Sequence, residues 1–376
     1  MNNERVEYID IARGIGILLV ALAHADVSLF SPYLHQLIYS FHMPLFFFLS
    51  GYFFNPGIPF WALLKKRFNT ILKPYLVTIL LIYIVSLSFT NIRFATVFGR
   101  IAKSLYGTGY YIDWVQLWFL PSLFVTSLFA YLLYRLMLHR ITNRFTRWLV
   151  LLAVLAVGVY FLDSFYPFTI SLLGKPYELY GLPFSLDLVL MSAFFYIMGN
   201  EIRLASSEKA FESLWVFFGT GAALFLLTLL FDYRVDFNTR LYTSFPVNTV
   251  EAILGILFTL AVSKQIDLKT TWLASTLKYI GQASLFILIF HVPIQEFWAP
   301  KILFVTEQQA FSILSAFVIS ILICLGIYRL FFELNPIALY WFGRRASSPV
   351  NRKSTPTIQR NMTEGENEIS KKYGEP

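Results

Sequence analysis

Three of the five histidines in the chain, His24, His42 and His291, lie in or at the edge of long apolar runs. Ionisable groups there are costly to keep, so they are the first candidates for chemistry. A neutral imidazole, with an unperturbed pKa of about 6.5, suits a general base. In the first run, YIDIARGIGILLVALAHAD, Arg13 and His24 stand eleven residues apart. On a helix that spacing turns about 1100° and returns to within about 20° of the same face, with a rise of about 16 Å. Asp10 precedes Arg13 by three residues, the spacing of an ion pair along a helix. Asp10, Arg13 and His24 therefore form one stripe. The bland alternative makes Asp10 and Arg13 interfacial, with Arg13 setting orientation.

The second run, LIYSFHMPLFFFLSGYFFNPG, places His42 two residues before Pro44, which removes the hydrogen bond to the Ser40 carbonyl. His42 is either a site residue or a cap for that freed carbonyl. Ser50 and Gly51 make a small pair suited to helix packing. A serine nucleophile would need a base within reach, and none is adjacent. His291 again precedes a proline by two residues (Pro293). His35 and His139 default to exposed loops. No metal is expected, since no HxxH, HxxxH or Cys/His spacing occurs, and no glycine-rich phosphate loop is present. Cys324, alone in an apolar run, reads as a packing residue.

The elements that must position these groups follow from composition. Of 376 residues, 57% are hydrophobic and 14% charged, with 39 Phe, 22 Tyr and 8 Trp, and the mean hydropathy is +0.62. A soluble domain carries about a quarter charged residues, so these figures exclude an ordinary cytosolic enzyme, a disordered chain and a disulfide-stapled secreted domain. Ten apolar segments of roughly spanning length are expected: 11–30, 37–54, 74–90, 116–138, 148–163, 185–202, 213–231, 248–263, 279–298 and 310–332. Backbone facing lipid must be satisfied within the segment, and the runs are apolar all round, so helices are expected rather than a barrel. Lysine and arginine are roughly three times as frequent on one side of this arrangement, which predicts cytoplasmic N- and C-termini. The fold class expected is an all-α integral membrane protein. Residues 1–345 form its membrane domain and 346–376 a flexible cytoplasmic tail. The loops 91–115, 164–184 and 232–247 face the other side and are rich in Tyr, Gly and Asn, suited to interface anchoring or sugar stacking. The net charge of +8 is dispersed between apolar runs, so the bilayer, and not nucleic acid, is the expected partner. No cleavable signal peptide is evident, and no internal repeat supports a transporter built on repeated halves.

RVEYIDIARGIGILLVALAH followed by FHMPLFFFLSGYFF resembles the membrane-bound acyltransferase family 3, which includes fucose 4-O-acetylase-like proteins and O-antigen and Nod-factor O-acetyltransferases. The family's basic residue, ten others and a histidine are here Arg13 and His24. Its Phe-His-Met-Pro and Ser-Gly-Tyr signature is matched by Phe41–Pro44 and Ser50–Tyr52. Leu117–Leu120, with Trp118, resembles the family's Trp-Phe-Leu segment, and Gly281 through His291 resembles its late Gly-x-x-Ser…His helix. The family's cytoplasmic Arg-x-Arg motif appears as Lys65-Lys66-Arg67.

The resemblance implies transfer of an acyl group, most often acetyl from acetyl-CoA, to a hydroxyl of a cell-surface or lipid-linked glycan at the bacterial inner membrane. Acetyl-CoA would be a cosubstrate, with no permanently bound cofactor. On this reading His24 is the general base, Asp10 holds Arg13, and Arg13 faces the anionic end of the donor. His42, His291, Ser50, Trp118, Lys66 and Arg67 are second-tier candidates for binding or orienting substrates. The alternative from another class is an exporter of polysaccharide or lipid-linked sugar without acyl transfer.

Overall fold

The computed structural model describes residues 6–89, 94–172, 174–205, 208–269 and 271–342; the expected tail, 346–376, lies outside them. In chain order the helices are α1 (Glu7–Ala23), α2 (Pro32–Gly51), α3 (Phe60–Arg67), α4 (Lys73–Phe89), α5 (Phe94–Tyr106), α6 (Phe119–Leu136) and α7 (Arg144–Tyr160). They continue as α8 (Val189–Ala205), α9 (Leu214–Leu230), α10 (Phe245–Lys269), α11 (Thr271–Gln282), α12 (Ser284–Thr306), α13 (Gln309–Ile327) and α14 (Pro336–Trp341). Between α7 and α8 strands β1 (Phe168–Leu172) and β2 (Lys175–Leu179) pair antiparallel, Phe168 opposite Leu179. Between α9 and α10 a shorter hairpin pairs β3 (Val235–Asp236) with β4 (Leu241–Tyr242).

Among the described residues six helical stretches are long and apolar enough to cross a membrane: Phe60–Leu87, Val115–Arg140, Pro183–Ala205, Phe245–Lys269, Ser284–Thr306 and Gln309–Phe331. α9 is a shorter apolar helix, and the remaining expected segments fall on α1, α2 and α7. The chain is a multi-pass, predominantly α-helical membrane protein.

Two expectations need correction. The ninth segment, 279–298, is not one helix: α11 ends at Gln282 and α12 starts at Ser284. The stretch 91–115, expected as loop, contains α5, whose apolar residues Val97 and Ile101 face inward while Arg100 and Lys103 face out. The other two aromatic loops carry the two short hairpins, which leave the all-α class as expected.

α1 is the hub, packed against α2, α10, α11, α12 and α13. Ile9, Ile11, Ala12 and Ala21 are wholly buried around it. Lipid is as apolar as these side chains, so helix association here rests on close approach and polar bonds more than on hydrophobic burial. Two glycine pairs supply the approach. A Cβ on Gly14 or Gly281 would collide with the Leu277 or Asp10 carbonyl, and one on Gly51 or Gly199 with the Tyr196 or Phe48 carbonyl. α1 therefore lies backbone to backbone with α11, and α2 with α8. The small residue Gly51 beside Ser50 is a packing residue, as its pattern predicts.

α1 and α2 run antiparallel. α1 ends at His24, and Asp26 turns the chain in a left-handed conformation (φ 58°). Ser31 Oγ then accepts from Leu34 N at 3.4 Å, and Pro32, lacking an N–H, opens α2 where that donor is not needed. At the far end Tyr8 and Tyr52 share a 2.7 Å hydroxyl hydrogen bond, tying the start of α1 to the end of α2.

Candidate active site

A cavity of about 480 Å³ runs beside α1. It is lined by Arg13, Ile17, Val20 and His24, which recur along one helix face at steps of four, three and four residues. From α2 come Met43, Phe46 and Ser50, and from the C-terminal end of α3 come Lys66 and Arg67. Trp118 and Phe119 at the start of α6 close another side. A volume of this size falls in the range of about 300–1,000 Å³ usual for small-molecule sites.

The basic groups gather toward the end of α1 that is tied to α2 through Tyr8 and Tyr52. Asp10 does not line the cavity but pairs with Arg13, Oδ1 to Nη1 at 3.1 Å. The Arg13 guanidinium lies 6.0 Å from the Phe53 ring. Arg67 donates from Nη2 to the Tyr196 hydroxyl, and its Nε is buried with no hydrogen-bond partner among the described residues. A buried, unused N–H on a guanidinium costs free energy until an acceptor arrives, which suits an anionic ligand. Immediately after Arg67 the backbone widens into a π-helical turn, Phe68–Leu72, whose Thr70 and Ile71 also line the cavity. Such turns are frequent at functional sites.

His24 lies eleven residues along α1, a rise of about 16 Å from Arg13. Its ring is half-buried and borders the cavity, and its ring nitrogens take no hydrogen bond among the described residues. The His291 ring lies beside it, centroids 5.3 Å apart. His291 is fully buried and its Nδ1 meets the Ile287 carbonyl at 2.6 Å. A carbonyl only accepts, so Nδ1 carries the proton and Nε2 of the neutral ring is an acceptor. That Nε2 is buried without a partner among the described residues. His24, not His291, therefore meets whatever fills the cavity, and His291 stands behind it.

The placement of His42 differs from its sequence reading in two respects. It does not line the cavity, because it sits one residue, about 100°, off the Met43–Phe46–Ser50 face. Its Nδ1 donates to the Ile38 carbonyl at 2.9 Å, not to Ser40. His35, expected to be exposed, is half-buried and stacks on Tyr39 with centroids 4.1 Å apart.

Gln116 is one of the lining residues that sequence reasoning missed. It lines the cavity, and its Nε2 donates to the Ile289 carbonyl at 2.9 Å. Pro293 deprives that same carbonyl of its helical partner. The proline after His291 was the available signal, since it required a donor from elsewhere. Thr70, Ser284 and Phe342 also reach the cavity. Among the described residues no group of three His, Cys, Asp or Glu side chains is placed to hold a metal ion.

An apolar-walled cavity with cations at one end and an unbonded imidazole at the other can hold an elongated anionic molecule and accept a proton at its far end. No curated protein and no solved structure matches the chain. The model of acyltransferase family 3, described as an acyltransferase domain, matches residues 6–329, the stretch that contains every residue of this site named above except Phe342, and the chain belongs to that family.

Proposed function

We propose that this acyltransferase moves an acetyl group from cytoplasmic acetyl-CoA to a hydroxyl of a cell-surface or lipid-linked glycan. In this reading it crosses the bacterial inner membrane ten times with both termini in the cytoplasm. One observation carries the proposal: Arg13, Lys66, Arg67 and His24 line a single cavity, with Arg13 and His24 separated by about three turns of α1. That separation is comparable with the reach of an extended pantetheine arm, so phosphates held by the three cations would leave the thioester beside His24.

The chemistry then needs few parts. His24 takes the proton from the acceptor hydroxyl as its oxygen attacks the thioester carbonyl, and a tetrahedral intermediate forms. The carbon–sulfur bond breaks, and the imidazolium returns the proton to the departing thiolate. Nothing is oxidised or reduced, and the protein ends in its starting protonation state. General-base assistance of this kind contributes about 10²–10⁴-fold. Asp10 fixes the Arg13 fork, which restricts the guanidinium to orientations that can meet phosphate. Trp118 and Phe119 wall the route against lipid and water. Ser50 lines the cavity but among the described residues has no hydrogen bond to a base, so direct transfer is favoured over an acyl-serine.

The test is transfer of radiolabelled acetyl from acetyl-CoA by membranes containing the protein, together with the O-acyl content of the surface glycan in a deletion strain. Label entering the glycan fraction, and O-acetyl groups missing from the deletion strain, support the reading. A surface glycan unchanged by the deletion, with no transfer in membranes, overturns it.

A further inference from the structure

A second cavity, of about 340 Å³, lies at the other end of the α1–α2 pair. Ser28, four residues beyond His24, contributes to it, as do His35, Gln36 and Tyr39 from the first turns of α2. Asp232, Arg234 and Asp236 join them from the β3 hairpin. Gln36 fastens the two sides, donating from Nε2 to the Phe231 carbonyl at 2.8 Å.

Its chemistry is the opposite of the first cavity's. There the charged lining is Arg13, Lys66 and Arg67; here two carboxylates outnumber one guanidinium. Arg234 is already engaged by Asp232 at 3.9 Å, and both are well exposed. Asp236 is half-buried: Oδ1 accepts the Asn238 and Thr239 amides at 2.8 and 3.4 Å, and among the described residues Oδ2 is left over as an acceptor. An anionic donor is repelled by such a lining. A ring carrying several hydroxyl donors and one apolar face is matched by it, through carboxylates and carboxamide on one side and the Tyr39 phenol on the other.

The two cavities flank the end of α1: His24 lines the first, and Ser28, four residues on, lines the second. From the second, the rings of His35, Tyr39 and His42 run inward along α2, with centroids 4.1 and 4.8 Å apart. The innermost of these rings, His42, belongs to the helix that packs antiparallel to α1, whose own His24 ring borders the first cavity. We infer that the second cavity is the acceptor site, taking an uncharged pyranoside whose hydroxyls bond Asp232, Asp236 and Gln36 and whose ring lies on Tyr39. One hydroxyl is thereby turned toward His24. The donor enters from the basic end of α1 and the acceptor from the hairpin end, and they meet at the imidazole. This rests on the acetyl-transfer reading above and adds to it which residues receive the sugar.

The experiment uses Ser28→Cys in the full chain, whose one native thiol, Cys324, is buried. The purified variant in nanodiscs is compared before and after reaction with a bulky, membrane-impermeant maleimide. Two quantities are read: binding of radiolabelled acetyl-CoA, and transfer of its acetyl group to the glycan fraction of host membranes. Blocking the cavity should lower transfer about tenfold or more while leaving acetyl-CoA affinity within about twofold. Unchanged transfer after full labelling, or a parallel loss of acetyl-CoA affinity, overturns the assignment. Wild-type protein that transfers nothing overturns the acetyl-transfer reading itself, and this inference with it. Tyr39→Ala provides an independent variant: its half-saturating concentration of glycan fraction should rise about tenfold, at unchanged acetyl-CoA affinity. An unchanged value there also counts against the site.

Discussion

Gln116 and Ile289 are joined by a 2.9 Å hydrogen bond that replaces the one Pro293 removes from α12. The amide that repairs the kink also lines the cavity beside α1, so the shape of α12 around His291 and the wall of that cavity depend on one side chain. Gln116→Leu should leave the Ile289 carbonyl buried and unbonded, at a cost of about 1–3 kcal/mol. Thermal unfolding in nanodiscs would show the loss as a lowered midpoint, and an unchanged midpoint would mean that the carbonyl finds another donor.

Arg13 is held by Asp10 and borders the cavity with Lys66 and Arg67. Arg13→Gln should raise KM for acetyl-CoA about ten- to a hundredfold, the equivalent of one charged hydrogen bond of about 1.5–3 kcal/mol. Arg13→Lys should recover part of the loss, because it keeps the charge but not the fork. Steady-state kinetics with acetyl-CoA as the varied substrate decide it; an unchanged KM removes the phosphate role.

Asp187 and Arg240 form a bidentate ion pair at 2.6 and 3.1 Å, with side chains 0% and 1% exposed. It fastens the β3–β4 hairpin to the segment leading into α8. Arg240→Leu leaves a buried carboxylate uncompensated and should destabilise the protein by about 3–5 kcal/mol. The double variant Asp187→Leu with Arg240→Leu should recover much of that, since neither charge is then stranded. Equal melting curves for the single and double variants would contradict this account of the pair.

His42 lies off the cavity and bonds within its own helix. His42→Leu should cost about 1 kcal/mol from a lost hydrogen bond and leave KM for acetyl-CoA unchanged. A large rise in that KM, with the fold intact, would assign His42 to the proposed donor site.

The site was partly legible because its chemistry contradicts its surroundings. Arg13 and His24 stand out as ionisable groups in an apolar run, and helical periodicity alone aligns them. Lys66 and Arg67 belong to a compact basic group. Gln116, Thr70, Ser284 and Phe342 were not legible, being ordinary residues brought together only by tertiary packing. That Met43, Phe46 and Ser50, and not His42, line the cavity was not legible, because packing decides which face of α2 borders it. Helix α5 was hidden because an amphipathic helix has no apolar run, and the break at Ala283 because no proline marks it.

The proposed mechanism has His24 take the acceptor's proton in a cavity whose cations hold the donor. The most direct measurement compares purified wild type and His24→Ala, matched for thermal stability, in acetyl-CoA binding and in single-turnover acetyl transfer to the glycan fraction. The account predicts unchanged acetyl-CoA affinity and a transfer rate lower by about 10²–10⁴-fold. A folded His24→Ala enzyme that transfers acetyl at the wild-type rate would contradict it.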